Sequence, residues 1–502
     1  MAEANLLTAT TYDAAGRVLT RTQQATNDAD GSQGFSATLV GAARTWNYTY
    51  NIQGQLISIR EPGGATTSYT YYQDNDVCTG CRGQIQSITN ALGHTTTHNA
   101  YDALGRLLET VDANGVKTKF NYDWRGNLLS RTDAVDTANA HTTTYQTFTD
   151  PDDVSRTIKR TTYSDGSALD YHFDAADRLI ALKDSEGNTI EYTLDAMGNR
   201  IAEHTYDAQG KLHRAARRAV NAFGALIGQR DADDNLTRYA YDNIGNLTRI
   251  TDPLDRVTAY QYDPRNRLTQ TTDALGGIIK YAYDRQDRIT EVTDPRGLVT
   301  RYTYNGFGDL ISQISPDSGT TTYQYDAAGQ LTSSTDAQGR TTTYTYDNLN
   351  RLIQSQTGAL TTAYQYDQGT NALGRLTQIS DPTGVTQYAY DPRGNVTEKR
   401  QTIANRAFTV GYRYQAGRLS QIDYPSGATI EYHYAHGRPS AVTVNQTPLM
   451  TNIRHEPFGL PSGWIWGNGK THERTYDQNG RLKSLNLPNI PPTRNRFAYD
   501  AL

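Results

Sequence analysis

The chain has 502 residues and a net charge of −5, from 48 basic and 53 acidic residues that are mixed along its length. This balance lacks the basic stripe of a nucleic-acid-binding protein, and no apolar run reaches the roughly 20 residues that a membrane-spanning helix needs. Only 36% of the residues are hydrophobic, yet there are 36 tyrosines against 9 phenylalanines, which excludes a thick aliphatic core. Because tyrosine joins an apolar ring to a polar tip, the composition favours extended sheets with partly wet faces.

A tyrosine–aspartate phrase opens the chain at Thr11-Tyr12-Asp13-Ala-Ala-Gly16-Arg17 and then recurs to the other end. Its spacing is interrupted in four places, so we predict one repeat array over residues 1–502 with irregular loops. These loops are expected near residues 23–44, 72–84, 134–170 and 202–220. In the last of them, Leu212 to Ala222 is a candidate short helix.

The most regular copies lie between Arg238 and Leu352, where the second tyrosine of the phrase returns every 21 residues. All six copies contain Tyr-x-Tyr, five of them continue with Asp and three carry Gly three residues later. A fixed period in this range is the signature of a repeat architecture. The structural repeat positions are Tyr241, Asp242, Gly245, Tyr262, Asp263, Tyr283, Asp284, Tyr304, Gly308, Tyr325, Asp326, Gly329, Tyr346 and Asp347.

Each repeat is predicted to hold two short antiparallel strands and two tight turns. The two tyrosines stand at i and i+2, so on a strand they share a face. The Asp carboxylate accepts backbone N–H groups two residues on, and Gly supplies a positive φ. Asn266, Asp287 and Asn350 take the place of that glycine, and these residue types tolerate the left-handed region best after glycine. The fold class that follows is all-β, a repetitive antiparallel hairpin ribbon.

The copies continue to Tyr499-Asp500-Ala-Leu502, where the sequence stops inside a turn. A repeat array normally ends in a capping unit with a polar outer face. We therefore expect this chain to be a segment of a longer protein.

The phrase Tyr-Asp-x-x-Gly-Arg-Leu, as at Tyr101–Leu107 and Tyr476–Leu482, resembles the tyrosine–aspartate (YD) repeat of the RHS family. The resemblance covers nearly the whole chain. It implies a ribbon that spirals into a hollow shell or arc, a YD-repeat β-solenoid, of the type that encloses a C-terminal effector in bacterial polymorphic toxins. It also implies a secreted or cell-surface location, and the rest of the parent chain with its effector as the partner.

The chain departs from the toxin-bearing members of that family at one feature. Such members end their shell with an Asp-Pro-x-Gly-x-x-Gly signature before the effector. Asp294–Gly297, Asp381–Gly384 and Asp391–Gly394 match only its beginning and read as turns within repeats. Because that signature is tied to self-cleavage in those members, we expect neither the cleavage site nor the effector in this segment.

Cys78, Cys81, His94 and His98 have the spacing of a two-Cys, two-His zinc finger. The repeat register places the two histidines on a strand, where a rise of about 3.3 Å per residue separates the imidazoles by about 13 Å. One zinc ion with bonds of about 2 Å cannot reach both. A zinc site on these four residues is thus the minor alternative to a local Cys78–Cys81 disulfide or two free thiols, and export would favour the disulfide.

No nucleophile elbow, phosphate loop or dinucleotide fingerprint occurs in the sequence. The many Asp residues recur at turn positions, so turn formation explains them without catalysis. We expect no enzyme activity, no catalytic residue and no cofactor.

Two functions are compatible with such an array. The first is a structural shell that encapsulates or displays a toxin or effector domain. The alternative is a cell-surface carbohydrate-binding or adhesion array, in which exposed tyrosines stack on sugar rings or the uncapped ends self-associate.

Overall fold

A computed structural model describes residues 2–3, 6–28, 31–73 and 80–486. Within these ranges it has 43 β-strands, and a 3-10 turn at Gly34–Ser36 is the one helical segment that they contain. No helix of the described residues is long and apolar enough to cross a membrane. The all-β prediction is confirmed.

The strands are short, and most have five to nine residues. The first part of the chain holds β1 (Ala2–Glu3), β2 (Leu6–Tyr12), β3 (Val18–Thr26), β4 (Leu39–Tyr50), β5 (Leu56–Arg60), β6 (Thr66–Tyr71), β7 (Ile85–Thr89), β8 (Thr95–Tyr101), β9 (Leu107–Val111), β10 (Lys117–Tyr122), β11 (Leu128–Val135), β12 (His141–Thr149), β13 (Thr157–Thr162), β14 (Ala168–Phe173), β15 (Leu179–Asp184), β16 (Thr189–Leu194), β17 (Arg200–Tyr206), β18 (Leu212–Val220), β19 (Leu226–Arg230), β20 (Leu236–Tyr241), β21 (Leu247–Thr251) and β22 (Val257–Tyr262).

The later part continues the same pattern. It holds β23 (Leu268–Thr272), β24 (Ile278–Tyr283), β25 (Ile289–Thr293), β26 (Val299–Tyr304), β27 (Leu310–Ser315), β28 (Gly319–Tyr325), β29 (Leu331–Thr335), β30 (Thr341–Tyr346), β31 (Leu352–Thr357), β32 (Leu360–Tyr366), β33 (Leu376–Asp381), β34 (Gly384–Tyr390), β35 (Val396–Ile403), β36 (Arg406–Gln415), β37 (Arg418–Asp423), β38 (Thr429–Ala435), β39 (Arg438–Val444), β40 (Thr447–His455), β41 (Pro461–Trp466), β42 (Thr471–Tyr476) and β43 (Leu482–Asn486).

Strands that follow each other in the chain pair antiparallel, as β20 does with β21 and β21 with β22. Because each strand reverses the last, the turns alternate between the two edges of the ribbon. We call the turn after the tyrosine strand the first turn, as at Asp242–Gly245, and the next one the second turn, as at Asp252–Asp255. The ribbon therefore has a first-turn edge and a second-turn edge.

The tyrosine strand ends in a bulge in the regular repeats. Tyr241 pairs with Leu247, and the register shifts between Ala240 and Tyr241. The same shift precedes Tyr283, Tyr304, Tyr325 and Tyr346. The bulge increases the local twist at the first turn.

Burial alternates along the tyrosine strand, as the period of two predicts. In β20 the half-buried Tyr239 and Tyr241 flank the exposed Ala240. Among the described residues only seven apolar residues are buried, namely Ala25, Cys81, Ala134, Ile158, Ala372, Val442 and Trp464. Stability therefore comes from contacts between neighbouring repeats, which is the behaviour of a repeat protein.

The chain divides into two compact units. Unit 1 comprises Met1–Thr118, Tyr262–Thr271 and Gly277–Phe408, and unit 2 comprises Lys119–Gln261, Thr272–Gly276 and Thr409–Leu502. Each unit thus joins an early stretch of the chain, before residue 262, to a late stretch. Side chains from the two stretches of a unit hydrogen-bond although they lie 243 to 289 positions apart in sequence.

The structure corrects the prediction for residues 202–220. They form β17 and β18 around a regular turn, so both the irregular loop and the helix over Leu212–Ala222 are wrong. Ala and Arg favour helix in isolation, but β18 pairs with β17 on one side and β19 on the other, and this pairing overrides the local preference. The Tyr206-Asp207 copy follows the Leu194-Asp195 copy after only 12 residues because it occupies a second turn.

The loop predicted at residues 134–170 is mostly sheet, whereas the range 23–44 does contain a connection of 12 positions, 27–38, between β3 and β4. Residues 134–170 contain β12 and β13, and residues 23–44 contain the ends of β3 and β4 with a connection between them. The sequence there departs from the repeat phrase because these strands are longer, up to 12 residues in β4. The swollen turn at 72–84 lies partly outside the described residues.

Candidate functional site in the repeat turn and its seam

The Asp of the phrase closes the first turn by itself. Asp263 Oδ1 accepts hydrogen bonds from the backbone N–H groups of Arg265 at 2.9 Å and Arg267 at 3.0 Å, while Oδ2 accepts one from Arg267 Nε at 2.7 Å. The bond from the Arg267 guanidinium is the largest reason that the pKa of Asp263 lies below its usual range. Both oxygens of the carboxylate thus accept hydrogen bonds within the turn, as the sequence predicted.

The second tyrosine ties each repeat to the one before. Tyr283 donates its hydroxyl hydrogen to the carbonyl oxygen of Leu268 at 2.7 Å, and Tyr304 does the same to Ile289 at 2.9 Å. Burial raises the pKa of both hydroxyls, so they remain donors at neutral pH. The same bond is made by Tyr71, Tyr101, Tyr241, Tyr346, Tyr366, Tyr390 and Tyr434.

The Arg after the turn reaches forward to the next repeat. The guanidinium of Arg267 lies 4.9 Å from the Tyr283 ring centre, and its Nη1 donates to the Asp284 carbonyl at 2.7 Å. Arg288 makes the same two contacts with Tyr304 and Asn305. Tyr, Asp and Arg of the phrase therefore each make an identified structural contact.

The left-handed positions of the first turns are filled as the sequence predicted. Gly245, Gly308 and Gly329 have φ of 95°, 91° and 87°. Asn266 and Asp287 have φ of 64° and Asn350 has φ of 62°. The repeat positions Asp242, Asp326 and Asp347 accept the same backbone bonds as Asp263.

The four residues with zinc-finger spacing do different things. Cys81 is buried, with 1% of its surface exposed. Cys78 lies outside the described residues, so the Cys78–Cys81 disulfide stays a prediction. His94 directs Nε2 to Asp367 at 3.6 Å, whereas His98 stacks on Tyr101 with 6.4 Å between ring centres. Within the part of the chain that is described, no three His, Cys, Asp or Glu side chains are arranged so that they could hold a metal ion.

In unit 1 the first-turn edge of the late stretch lies along the second-turn edge of the early stretch; we call this line of contacts the seam of unit 1. Arg44 pairs with Asp309 at 2.5 Å, and its guanidinium lies 4.1 Å from the Phe307 ring centre. Asn114 exchanges two hydrogen bonds with the backbone of Leu373, at 2.8 and 3.1 Å.

A seam of the same kind runs through unit 2. Arg418 donates to Asp165 at 2.7 Å, and Arg481 to Asp233 at 2.8 Å. His213 lies between two carboxylates, with Nδ1 2.7 Å from Glu456 and Nε2 3.0 Å from Asp207. These contacts join the two stretches of unit 2 laterally.

Sequence reasoning missed both seams. Their members are scattered over 243 to 289 positions and have no shared motif. One signal was available, because Asp309 is acidic where most other copies of the phrase carry Arg or Asn.

Two repeat families match parts of this ribbon. The teneurin YD-shell family matches residues 206–397, and the RHS repeat family matches residues 82–117, 101–138 and 173–211. The chain therefore carries repeats of the RHS and YD-shell type. The resemblance that the phrase suggested is confirmed.

A curated relative of this RHS chain is the double-stranded DNA deaminase toxin A of Burkholderia cenocepacia (strain H111). The two are 29% identical over 177 residues, which is 32% of this chain and 11% of the relative. This RHS chain therefore spans about a tenth of the curated relative that it matches.

Solved structures share the fold. "Crystal Structure of TcdB2-TccC3" matches with a TM-score of 0.73 and 13% identity, over 99% of this chain and 33% of that one. "Crystal Structure of TcdB2-TccC3-TEV" matches with a TM-score of 0.76 and 12% identity, over 99% of this chain and 35% of that one. The fold is thus that of a YD shell, and this chain has about a third of the length of those structures.

Proposed function

We propose that this chain is a non-enzymatic wall segment of an RHS-type shell, which encloses or displays an effector domain carried elsewhere on the parent protein. The fold shared with TcdB2-TccC3 and the sequence similarity to a deaminase toxin support this proposal. The rest of the parent chain and its effector are the expected partners. A secreted or cell-surface location accords with that role.

The observation that carries the proposal is the seam. Within each unit the ribbon edge is bonded to another stretch of the same ribbon, through Arg44–Asp309 in unit 1 and Arg418–Asp165 in unit 2. Such side-chain contacts join a row of turns on one stretch to a row of turns on the other, and rows joined in this way make a continuous wall. A wall that holds a second domain apart from solvent needs such joints.

The recurring side chains of the phrase give no support to catalysis or to glycan stacking. Asp263 is committed to its turn, and the Tyr283 hydroxyl to the Leu268 carbonyl. Both tyrosines of β24 are half-buried by neighbouring repeats, so neither ring lies open on the sheet. The side chains that recur in every repeat build the ribbon itself.

Protease protection of the effector in the full parent protein tests the proposal. We expect the effector region to be digested far more slowly in the intact protein than when it is expressed alone. The double variant Arg418→Glu and Arg438→Glu, which places like charges against Asp165 and Asp184 in the seam, should restore rapid digestion.

The matched control is Arg340→Glu, since Arg340 is exposed and pairs only within its own turn. It should leave the protection unchanged. An effector that is digested equally fast in the intact and the isolated forms contradicts a closed wall and leaves display as the only possible form of the proposal. An active fragment of the isolated wall, with turnover of any substrate that depends on its own residues, would overturn the non-enzymatic assignment.

A further inference from the structure

The first-turn edge of the early stretch in unit 2 carries four exposed apolar side chains, which we call the apolar row. Trp124 is 80% exposed, Met197 69%, Phe223 93% and Ile244 70%, and each lies within a first turn. In a first turn of the late stretch of the same unit, Phe458 is half-buried. A large apolar side chain in a first turn is therefore covered where that turn belongs to the seam and open in the apolar row.

Unit 1 shows the same contrast between its own two stretches. In its early stretch, the first-turn residues Ile52 and Leu104 are exposed. In its late stretch, whose first turns form the seam, Phe307 and Leu349 are half-buried. All these side chains occupy the same type of turn, so their exposure follows the seam and not the local sequence.

The contacts of the unit 2 seam have a fixed direction along the chain. Arg418 beside a late first turn bonds to Asp165 of an early second turn, and Arg438 bonds to Asp184 in the same way. The residue on the first-turn edge is the later partner in each contact, and the partners lie 243 to 254 positions apart. The stretch that covers a first turn of unit 2 thus comes 243 to 254 positions earlier in the ribbon.

For the apolar row, that distance leads out of the sequence. A position 243 to 254 residues before Phe223 lies ahead of Met1. The solved shells that share the fold extend well beyond the matched part, since this chain covers 33% and 35% of them. We propose that the apolar row docks the second-turn edge of the ribbon stretch that leads up to Met1 in the parent chain. This inference rests on the proposed function, because it needs a parent shell of which this chain is one segment.

The apolar row includes a cleft of the kind that receives a neighbouring stretch in the seam. The cleft between Phe223 and the strand that ends at Tyr241 measures about 660 Å³. The seam cleft of unit 2, of about 450 Å³, lies likewise between Arg418 and the strand that holds Tyr434, and Asp165 of the early stretch enters it. The cleft at Phe223 is thus a seam cleft to which no described residue of another stretch contributes.

The residue after each first turn predicts the charge of the upstream partner. Arg481 is held by Asp477 of its own turn and by Asp233 across the seam. Arg178 of the early stretch is held by Asp174 of its own turn in the same way. Its upstream partner should therefore be an Asp or Glu in a second turn.

A different partner is expected at the cleft beside Phe223. Ala225 stands there in the place that Arg418 and Arg481 occupy in the seam, so the cleft offers no charge at that position. The exposed Phe223 and Ile244 make the patch apolar, and such patches mark interaction sites. The upstream side chain that enters this cleft should therefore be apolar.

A photoreactive residue at Phe223 in the full parent protein tests the contact. Phe223→p-benzoylphenylalanine keeps an aromatic ring, and its adduct should map by mass spectrometry to a turn 243 to 254 positions upstream. The same probe at Phe307 is the positive control, since that ring lies against Arg44 across the seam of unit 1. At Glu191, on the exposed face of β16, the probe should label only β15 and β17.

Hydrogen exchange of the parent protein measures the strength of the contact. The double variant Phe223→Asn with Ile244→Asn should speed amide exchange in the upstream turn roughly tenfold or more. Asn already occupies this turn position at Asn114 and Asn479, so the substitution is compatible with the turn. Leu460→Asn, at an exposed residue outside the apolar row, is the matched control and should leave the exchange unchanged.

Three outcomes overturn the proposal. The first is a Phe223 probe that labels the effector, a second copy of the protein or nothing, while the Phe307 probe labels the stretch around Arg44. The second is exchange in the upstream turn that the double variant leaves unchanged. The third is a parent sequence without tyrosine–aspartate repeats 243 to 254 positions before Phe223.

The docking and the proposed function fail separately. An effector that stays protected from protease, together with a Phe223 probe that labels no upstream residue, overturns the docking and leaves the shell function standing. An upstream adduct together with a rapidly digested effector supports the docking and contradicts enclosure.

Discussion

The seams of the two units join the same ribbon edges with opposite charges. In unit 1 the residue after the first-turn glycine is Asp309, and its partner on the early stretch is Arg44. In unit 2 the residue at that position is Arg418, and its partner is Asp165. The repeat phrase therefore forms the ribbon. Which turns of the two stretches pack together depends on whether the residue after the first turn faces an opposite charge on the other stretch.

The largest effect is expected when the residue after the first turn in the seam of unit 1 is given the positive charge that it has in unit 2. Asp309→Arg places a second guanidinium against Arg44, whose side chain is only 13% exposed. Because the pair is part-buried, placing like charges there should lower the unfolding free energy of unit 1 by up to roughly 3 kcal/mol, the lower end of the range for a fully buried pair. Urea unfolding with hydrogen exchange of unit 1 measures it.

The double variant Arg44→Asp with Asp309→Arg is the sharper test of the same comparison. It recreates the polarity of unit 2 and should recover at least half of the loss. Exposed Arg340→Asp, the control, should cost under about 1 kcal/mol because that ion pair lies in solvent. If the double variant is no more stable than Asp309→Arg alone, the two seams are not equivalent joints.

The sequence predicted what is local and repeated, and it missed what is distant and variable. Alternating tyrosines, Asp-closed turns and left-handed Asn266 and Asp287 all follow from rules that span a few residues. Arg44 and Asp309 lie 265 positions apart, and nothing within either repeat points to the other. The candidate helix over Leu212–Ala222 is wrong because the pairing of β18 with β17 and β19, and not its own residues, determines its structure.

Removing the tyrosine hydrogen bond should lower the unfolding free energy by the same amount in both units, since this bond belongs to the repeat phrase. Tyr283→Phe in unit 1 and Tyr434→Phe in unit 2 each remove one bond to a leucine carbonyl, at 2.7 and 2.9 Å. We expect about 1 kcal/mol for each. Tyr281→Phe, at the first tyrosine of the same strand, is the control and should be close to neutral. A loss at Tyr434 several times that at Tyr283 would show that the ladder is not uniform.

Mild acid should weaken both units, and unit 2 more steeply. Burial lowers the pKa of His98 in unit 1, and of His455 and His472 in unit 2, below the ordinary value of 6.5. The unfolded chain then binds more protons than the folded one, so stability falls as pH drops below about 6.5. Hydrogen exchange at pH 7 and at lower pH, read separately for the two units, measures the slope.

His98→Phe isolates the contribution of unit 1 to that slope. Both ring nitrogens of His98 are buried and have no hydrogen-bond partner among the described residues, and the ring stacks on Tyr101. Phe retains the stacking and cannot be protonated, so the pH dependence of unit 1 should flatten while that of unit 2 persists. An unchanged slope in unit 1 would assign the acid sensitivity to other groups.

The smallest effect is expected where neither seam is involved, at Asp255 in a second turn of unit 2. Asp255 has a φ of 59° and its side chain is 84% exposed, with a 3.3 Å contact to Arg238 that solvent screens. Asp255→Gly relieves the left-handed strain of a residue with a Cβ, but it also makes the unfolded chain more flexible. The two effects largely offset, so the unfolding free energy should rise by at most about 1 kcal/mol. Asp255→Ala keeps the Cβ, loses the Arg238 contact and should be less stable than Asp255→Gly; the reverse order would mean that the ion pair outweighs the backbone. Both units contain turns of this type. The two Asp255 variants therefore measure how much a turn substitution alone changes the unfolding free energy, and a seam substitution must change it by more.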